Sequence, residues 1–303
     1  MKVAVTGGAG FIGSHLVDAL VAEGNEAIVI DNLVSGKSEN INRNAEFVKK
    51  DIRSDLSNDL EGVGALFHLA ADPEVRSSAT NPKSSFDINV AGTLSVLEAC
   101  RKADVKRMVF ASTSTVYGEA EVIPTPETYP CAPISNYGAS KLACEAYVSS
   151  YAGSYGIKST SLRFANIYGE RSNHGVMFDF FHKLKKDPKS LEILGDGKQD
   201  KSYLHVSDCV SAIQTCWKKQ KALYDTFNVG SRDKIKVESL ARLMCETLEL
   251  ETRFTYTGTR RGWVGDVRLM LLDIAKLETL GWKQKVGFEE GVDRYIQWLE
   301  KSS

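Results

Sequence analysis

The segment Val3-Ala-Val-Thr-Gly7-Gly-Ala-Gly10-Phe-Ile-Gly13 joins a short apolar strand to the start of an amphipathic helix. In such a unit Gly7 permits a tight turn, Gly10 lets the backbone approach a pyrophosphate, and Gly13 lets the helix pack closely on the strand. The phosphates would lie at the helix N-terminus, where free N–H groups and the helix dipole favour negative charge. Ordinary strand-to-helix turns also contain glycine, but the position between strand and helix favours a nucleotide site. This predicted site includes Gly7, Gly10, Phe11, Ile12 and Gly13.

Asp31 follows 18 residues after Gly13, at the end of the second predicted strand. Its carboxylate is suited to accept hydrogen bonds from a ribose diol, whereas a 2'-phosphate would meet like charge there. The sequence therefore favours NAD over NADP. Lys37 and Arg43 lie close by in the sequence, either as phosphate partners or as solvated loop charges.

Apolar runs rich in Val, Ile and Phe alternate with amphipathic segments through the first half of the chain, which is typical of βαβ units on a parallel sheet. Strands are predicted at Lys2 to Thr6, Glu26 to Ile30, Ala45 to Val48, Ala65 to His68, Arg107 to Ala111 and Ser159 to Phe164. Helices are predicted at Phe11 to Ala22, Pro82 to Lys102 and Asn136 to Tyr155. The predicted fold class is α/β, a Rossmann-type doubly wound parallel sheet.

The alternation of apolar runs and amphipathic segments becomes less regular after residue 165, which predicts a smaller α+β domain. Its predicted elements are a helix at Met177 to Lys186, a strand at Leu191 to Leu194, and helices at Val237 to Leu248 and Phe288 to Lys301. We expect an NAD-binding domain over 1–165 and a mainly substrate-binding domain over 166–303, with part of about 203–230 returning to the first. The two are expected to pack over a shared cleft.

Composition excludes several classes of protein. A formal net charge of -1 gives no general attraction to nucleic acid or to an acidic membrane. The six cysteines are scattered, without a C-x-x-C pair or a grouping with histidine, so they predict buried thiols in a reducing compartment and no metal site. No apolar run approaches the length of a membrane span, and residues 1–8 lack the apolar core of a signal peptide. We expect a cytoplasmic protein.

The stretch Asn136-Tyr-Gly-Ala-Ser-Lys-Leu-Ala-Cys-Glu-Ala-Tyr147 places Tyr137 and Lys141 on one face of a helix. Lowering a phenol pKa from about 10 to about 7 requires roughly 4 kcal/mol. One ammonium at about 6 Å, with an effective dielectric near 20, supplies on the order of 2.8 kcal/mol. The positive nicotinamide ring of NAD+ is expected to supply much of the rest. Ordinary helix surface chemistry accounts for the spacing equally well when it is taken alone.

Residues 110–118, Phe-Ala-Ser-Thr-Ser-Thr-Val-Tyr-Gly, leave a buried strand at its carboxyl end. Doubly wound sheets bind their ligands at that edge. A hydroxyl there could hydrogen-bond a reacting alcohol, although a Ser/Thr-rich turn explains the composition without any function.

These motifs together resemble the extended short-chain dehydrogenase/reductases, and within them the NAD-dependent nucleotide-sugar epimerases. The resemblance runs nearly end to end. Its landmarks are TGGAGFIG at 6–13, DNL at 31–33, DI at 51–52, HLAA at 68–71, NVAGT at 89–93, STSTVYG at 112–118, YGASK at 137–141, RFANIYGER at 163–171, GDGKQ at 195–199 and LHVSD at 204–208.

The resemblance implies a role for each matching residue. Thr113 would position the sugar, Tyr137 would be the acid/base, and Lys141 would lower its pKa and hold the nicotinamide ribose. The remaining cofactor contacts implied are Asp31, Asn32, Ser35, Gly36, Asp51, Ile52, Leu69, Ala70, Ala71, Asn89 and Ser112, of which Asn89 could instead orient the active-site helix. The implied substrate contacts are Thr113, Asn166, Val176, Lys201 and Arg261.

The resemblance implies 4-epimerisation of a UDP-hexose, UDP-glucose or UDP-galactose, through a 4-keto intermediate. Related 4,6-dehydratases carry an Asp-Glu pair after the active-site threonine, and UDP-glucuronate decarboxylases keep the glutamate; Ser114 and Thr115 stand there in this chain. A site without those carboxylates is poorly equipped for elimination. A UDP-glucuronate 4-epimerase, another NAD-dependent nucleotide-sugar oxidoreductase, and a non-catalytic NAD-binding regulator remain as alternatives.

The chain departs from the family where the diphosphate is bound. Lys201-Ser-Tyr203 replaces an R-D-[FY] segment, and Arg260-Arg-Gly-Trp-Val-Gly-Asp266 lengthens an R-x-G-D segment. Lysine keeps the charge but loses the bidentate fork of arginine. Met270 lies near the position that sets the room around the sugar in these epimerases, or else packs in the core. The resemblance also implies a homodimer formed through the segments near 82–102 and 136–155.

Overall fold

The computed structural model describes residues 1–258 and 267–302. Its strands are β1 Lys2–Thr6, β2 Glu26–Asp31, β3 Glu46–Lys49, β4 Ala65–His68, β5 Arg107–Thr113, β6 Lys158–Phe164, β7 Asn166–Tyr168, β8 Ser190–Ile193, β9 Asp200–Lys201, β10 Tyr203–His205, β11 Tyr224–Val229, β12 Ile235–Lys236, β13 Arg253–Tyr256 and β14 Leu269–Met270. Its α-helices are α1 Phe11–Ala22, α2 Val75–Thr80, α3 Pro82–Ser85, α4 Gly92–Lys102, α5 Asn136–Tyr155, α6 Val176–Lys186, α7 Val206–Lys219, α8 Val237–Thr247, α9 Ala275–Thr279 and α10 Phe288–Ser302.

A seven-stranded parallel sheet in the described part of the chain confirms the predicted fold class. Its strand order is β11-β6-β5-β4-β1-β2-β3. The chain therefore builds outward from β1 to one edge and then returns to β1 with β4, whose His68 lies in register with Thr6. The order reverses between these two strands, and doubly wound sheets bind their ligands at the carboxyl side of such a switch point.

Helices cover both faces of the sheet. On one face α1 and α7 pack through side chains such as Leu16, Leu20 and Ile213. On the other face α4 and α5 pack through side chains such as Leu97 and Val148. With both faces buried, the central strands β1, β2 and β4 consist of nearly continuous apolar residues, whereas the outer strands β6 and β11 also carry polar residues. Among residues 1–258 and 267–302, no helix is long and apolar enough to cross a membrane.

A second group of elements follows β6. Helices α6, α8 and α10 enclose a third hydrophobic cluster that includes Phe181, Met244 and Tyr295. Glu170 and Arg171, which precede α6, contact helix α1 of the first sheet. His15 Nε2 lies 2.8 Å from the Glu170 carbonyl oxygen, and Arg171 pairs with Asp18 at 2.8 Å. The chain also returns to the first sheet, because β11 pairs with β6 along its whole length. The proposed domain limits stay a prediction.

The helical stretch predicted over 82–102 is confirmed, although it is not α-helical throughout. The structure contains α3, a π-helical segment over Phe86–Ala91 and then α4, with α2 preceding them. Pro82 at the first turn of α3 removes a backbone donor, and the Asn81 side chain caps that turn by accepting from Ser84 N–H at 3.3 Å. The π-helical segment turns Asn89 inward, where its side chain is 1% exposed. Such segments occur often at functional sites.

Candidate active site

The glycine loop between β1 and α1 has the geometry that its three glycines predict. Gly7 has a positive φ of 71°, and a Cβ there would lie 2.7 Å from the Ala70 backbone nitrogen. A Cβ at Gly13 would lie 2.1 Å from the Gly7 carbonyl oxygen, so only glycine lets the helix approach the turn. At Gly10 the single atom near such a Cβ is that same oxygen, at 3.1 Å. The backbone at Gly10 therefore faces open space into which a pyrophosphate fits.

The N-terminus of α1 closes this loop. Ser14 N–H donates the first helical hydrogen bond, to the Gly10 carbonyl at 3.1 Å. The N–H groups of Phe11, Ile12 and Gly13 precede that bond, which is the arrangement that binds anions at helix N-termini. The Phe11 ring packs edge-on against His174, with ring centroids 6.3 Å apart. The residues preceding α6 therefore lie beside the phosphate side of the loop.

Asp31 ends β2 with its carboxylate facing the glycine loop. Its Oδ2 accepts from Ala9 N–H at 3.1 Å and its Oδ1 from Leu33 N–H at 2.8 Å. A Cβ on Gly36 would lie 2.8 Å from Oδ1, so glycine at that position keeps the carboxylate accessible. Each oxygen retains a lone pair for a ribose hydroxyl. Lys37 pairs with Glu39 at 3.4 Å, which leaves the ribose side of Asp31 acidic.

The remaining predicted nucleoside contacts lie around this carboxylate. Asn32 and Ser35 are exposed in the loop after β2. Asp51 is bound by Arg53, whose Nε and Nη2 lie 2.9 and 2.8 Å from its oxygens, and this pairing holds the pKa of Asp51 well below its usual range. Asn32 Nδ2 donates to the same carboxylate at 3.3 Å. The Ile52 side chain is 6% exposed and packs in the hydrophobic cluster beneath α4.

The segment after β4 runs beside the glycine loop. Leu69 N–H donates to the Thr6 carbonyl at 3.0 Å, and Ala70 N–H approaches the Thr6 hydroxyl at 3.4 Å. Ala71 follows them, half-buried. The predicted middle of the cofactor site, Leu69 to Ala71, is thus held against β1 at the switch point.

Thr113 and Tyr137 meet at the carboxyl end of β5. Thr113 is 8% exposed, and its side chain lies beside that of Tyr137, where it favours the ionised phenol. The Thr115 hydroxyl donates to the Thr113 hydroxyl oxygen at 3.2 Å. Ser135 caps α5 by accepting from Gly138 N–H at 3.0 Å, which fixes the first turn that carries Tyr137. The structure therefore brings together two of the three residues predicted to be catalytic.

Lys141 lies one turn further along α5, with its side chain turned inward and 3% exposed. Its Nζ lies 4.4 Å from the centre of the Phe110 ring, a cation–π contact. Burial lowers the pKa of Lys141 to about 8. Lysine therefore remains a charged neighbour of the phenol below that pH.

The sequence-based arithmetic for Tyr137 assumed NAD+ beside the phenol, and the protein without its cofactor holds that phenol protonated. Burial raises the pKa of Tyr137 to about 12, and the neighbouring Thr113 side chain opposes that rise. The sequence-based arithmetic counted the attraction between Lys141 and the phenolate but omitted the cost of removing both groups from water. That cost is large for buried charges and acts on both members of the pair.

His68 is a buried polar residue that the sequence reasoning did not single out. It is 0% exposed, with Nδ1 2.6 Å from the Thr6 hydroxyl oxygen and Nε2 3.0 Å from that of Thr93. Burial, with the nearby Lys141 as the second cause, lowers the pKa of His68 to about 3. A neutral imidazole thus joins β1 and β4 to α4 beneath the site. Its position as the last residue of a predicted strand was the available signal.

Asn89 and Ser112 were predicted to contact the cofactor, which stays a prediction, and their side chains bind other protein groups. Asn89 Oδ1 accepts from Asp72 N–H at 2.8 Å, while Nδ2 donates to the Asp72 carbonyl at 3.1 Å and to the Ser140 hydroxyl at 2.9 Å. Ser140 in turn donates to the Tyr137 carbonyl at 2.7 Å. The Ser112 hydroxyl donates to Glu145. Asn89 therefore orients α5, the alternative that its place in the sequence had left open.

The predicted substrate contacts lie on the second group of elements. Asn166 Nδ2 in β7 donates to the Ser202 carbonyl at 3.0 Å, and Val176 is half-buried at the start of α6. Lys201 in β9 is in register with Met270 of β14. Met270 is 9% exposed and belongs to the hydrophobic cluster of the first sheet, which favours core packing. Arg261 lies outside the described residues.

Comparison with known proteins gives consistent matches over the whole chain. A model of the NAD dependent epimerase/dehydratase family matches residues 3–230. A putative UDP-glucose 4-epimerase from Methanocaldococcus jannaschii is 37% identical over 99% of each chain. The structure of Thermotoga maritima UDP-glucose 4-epimerase with UDP-glucose is 38% identical, with a TM-score of 0.94 over 100% of this chain and 99% of that one. The Thermus thermophilus UDP-glucose 4-epimerase complex with NAD is 35% identical, with a TM-score of 0.92 over 100% of both chains.

Proposed function

Because the chain belongs to the NAD dependent epimerase/dehydratase family, we propose that it interconverts UDP-glucose and UDP-galactose by epimerisation at C4. The carrying observation is that the side chains of Thr113 and Tyr137 meet at the carboxyl end of β5, with Lys141 one turn away on α5. Ser114 and Thr115 follow Thr113, so this edge of the site carries hydroxyls where elimination would need carboxylates.

NAD is the cofactor of this family, and the residues present fit it. The open backbone at Gly10 and the N-terminus of α1 would hold the pyrophosphate, and Asp31 would hold the adenosine ribose. Lys141 would hold the nicotinamide ribose. When bound, NAD+ supplies a hydride acceptor that later returns the hydride, so the reaction involves no net redox change.

Tyr137 moves the proton in the proposed reaction. Its phenolate takes the proton of the sugar 4-hydroxyl as C4 is oxidised, and its phenol returns a proton when the 4-keto sugar is reduced on the opposite face. Thr113 orients the same hydroxyl. Since burial raises the pKa of Tyr137 to about 12 in the protein alone, with Lys141 in place, the deprotonated form depends on the positive charge that the oxidised nicotinamide would bring beside it.

The second group of elements is proposed to hold UDP while the 4-keto sugar turns over. Asn166 begins β7 and Lys201 ends β9, and we assign them with Val176 and Arg261 to the nucleotide and diphosphate. Lysine at 201 provides charge without a bidentate fork, so its contact with the diphosphate is a point charge.

We also propose a homodimer formed through α4 and α5. Helix α5 contains two charged residues, Lys141 and Glu145, and both are buried. Its exposed residues are uncharged and mostly small, and they include Ala139, Ala146 and Tyr147. A long helix face without charge is suited to pack against its own copy. The cytoplasmic location stays a prediction.

The experiment is an assay with UDP-galactose and no added reductant, with products separated by chromatography. The proposal predicts UDP-glucose until equilibrium, no net NADH, and loss of turnover in Tyr137→Phe with NAD binding largely retained. Tyr256→Phe, at an exposed tyrosine of β13 away from α5 and the proposed dimer face, is the control and should behave as wild type. Turnover of UDP-glucuronate with none of UDP-galactose would refute the hexose assignment, and full turnover by Tyr137→Phe would refute the mechanism.

A further inference from the structure

A buried ion pair lies directly beneath the catalytic helix. Arg163 of β6 binds Glu145 of α5 through two hydrogen bonds, Nη2 to Oε2 at 2.7 Å and Nε to Oε1 at 3.0 Å. The two residues are 7% and 4% exposed. Ser112, which precedes Thr113 in β5, donates its hydroxyl to the same carboxylate. Because burying two charges costs about as much as their attraction returns, stability alone does not account for such a pair.

The pair belongs to a longer polar network. Arg163 Nη1 donates to the Tyr117 hydroxyl at 2.8 Å, and that hydroxyl donates to Asn228 Oδ1 at 2.7 Å. Asn228 Nδ2 donates in turn to the carbonyls of Thr125 and Asp273, at 2.9 and 3.0 Å. The network therefore ties α5 and β5 to β6, to β11 and to the chain just after β14. Lys201 is in register with that last strand.

Several groups from different elements surround the Lys141 ammonium. His68 faces it from β4 and is neutral, and the Phe110 ring lies under it from β5. On α5 its neighbours are Tyr137, one turn before, and Cys144 and Glu145, about one turn after. Of these groups Glu145 is a carboxylate. The Arg163 guanidinium of β6 lies behind Glu145, which separates the two cations.

We propose that Glu145, held by Arg163, is a positioning residue for the epimerisation, fixing Lys141 in its place and keeping its ammonium charged beside Tyr137. This inference rests on the proposed function and deepens it. Glu145 sets the position of α5 through bonds to β5 and β6, the strand with Thr113 and its neighbour. It also supplies the negative charge that a buried ammonium needs.

Loss of the Glu145 carboxylate should lower the pKa of Lys141. Burial already lowers the pKa of Lys141 to about 8, and Glu145 opposes that fall. In Glu145→Gln the opposing charge is lost and the Arg163 cation faces α5 unpaired, so Lys141 should lose its proton at lower pH. In Arg163→Gln the carboxylate remains and the competing cation is gone, so Lys141 should keep its proton to higher pH.

The test measures kcat for UDP-galactose against pH, and the titration of Lys141 by nitrogen-15 NMR of lysine-labelled protein without substrate. For Glu145→Gln we expect the alkaline limb of kcat and the Lys141 titration to move down by at least about one pH unit, with kcat falling at least tenfold. For Arg163→Gln both should move up. Glu278→Gln is the matched control, since Glu278 also binds an arginine, Arg232, through two hydrogen bonds, but at the surface and away from α4 and α5.

A lower kcat in Glu145→Gln with an unmoved alkaline limb and Lys141 titration would assign the pair to packing and overturn the proposal. If Glu145→Gln does not fold, Arg163→Gln decides the matter, and a downward movement there overturns it. Failure of both variants to fold assigns the pair to stability alone. Failure of the proposed function is distinguished by wild-type protein that does not turn over UDP-galactose, because the NMR titration needs no substrate.

Discussion

Replacing Lys141 by methionine should make the protein more stable and inactive. The pKa of Lys141 falls from its ordinary value near 10.5 to about 8 on folding. A fall of that size corresponds to roughly 3 kcal/mol of unfavourable free energy carried by the buried ammonium at neutral pH. Methionine has similar length, no charge, and a sulfur that packs well over the Phe110 ring on which the ammonium lies. The expected gain in the free energy of unfolding at pH 7 is about 1–3 kcal/mol.

The pH dependence separates this cause from a general improvement in packing. Because lysine binds its proton less tightly in the folded chain, the wild-type free energy of unfolding should rise between about pH 8 and 10.5. Lys141→Met lacks that rise, so the gap between the two proteins should close over the same range. Urea unfolding of the cofactor-free proteins at pH 7 and 10, followed by tryptophan fluorescence, measures both. A variant that is less stable at pH 7, or a gap that does not change with pH, would refute the reasoning.

Two further predictions concern Gly10 in the glycine loop and the buried His68. Gly10→Ala should fold, because the added Cβ meets a single oxygen at 3.1 Å, but calorimetry should show NAD binding weakened at least tenfold. In the control Gly153→Ala the added Cβ meets nothing within 4 Å, so NAD affinity should stay that of the wild type and the protein should gain about 0.5–1 kcal/mol of stability. Equal NAD affinities in the two variants would contradict the phosphate site. Because the pKa of His68 is lowered to about 3 in the folded protein, the free energy of unfolding should fall as pH drops below about 6.5. Thermal melts of His68→Gln between pH 4 and 7 should show a weaker dependence of stability on pH. An unchanged dependence would show that the imidazole is charged in the folded protein.

The sequence predicted most reliably those features that depend on neighbouring residues. The bounds of α5 are as predicted, because Ser135 and Gly156 provide local start and stop signals. The glycine loop was predictable largely for the same reason, although the close contact that requires glycine at position 7 is made by Ala70, which is distant in the sequence. The pairing of Thr113 with Tyr137 was expected only through family resemblance, because no local pattern joins a strand end to a distant helix.

What the sequence could not predict depends on burial. The pKa values of Tyr137 and Lys141 are set by how far each is removed from water, and that depends on the packing of β4, β5 and α4 over them. The Glu145 pair with Arg163 was equally hidden, because the residues lie on separate elements and each resembles an ordinary surface charge. The start of α3 was signalled by Pro82, but the π-helical segment between α3 and α4 has no comparable sequence signature.

Strand β11 has a consequence for the order in which the protein can be made. The outer strand of the nucleotide-binding sheet comes from residues 224–229, after the chain has already passed through β7 to β10. Until that stretch leaves the ribosome, β6 exposes an unpaired row of N–H and C=O groups. A fragment ending near residue 165 would carry the glycine loop and the tyrosine and still present this open edge to other chains. Both parts of the chain therefore have to be synthesised before the seven-stranded sheet can be completed.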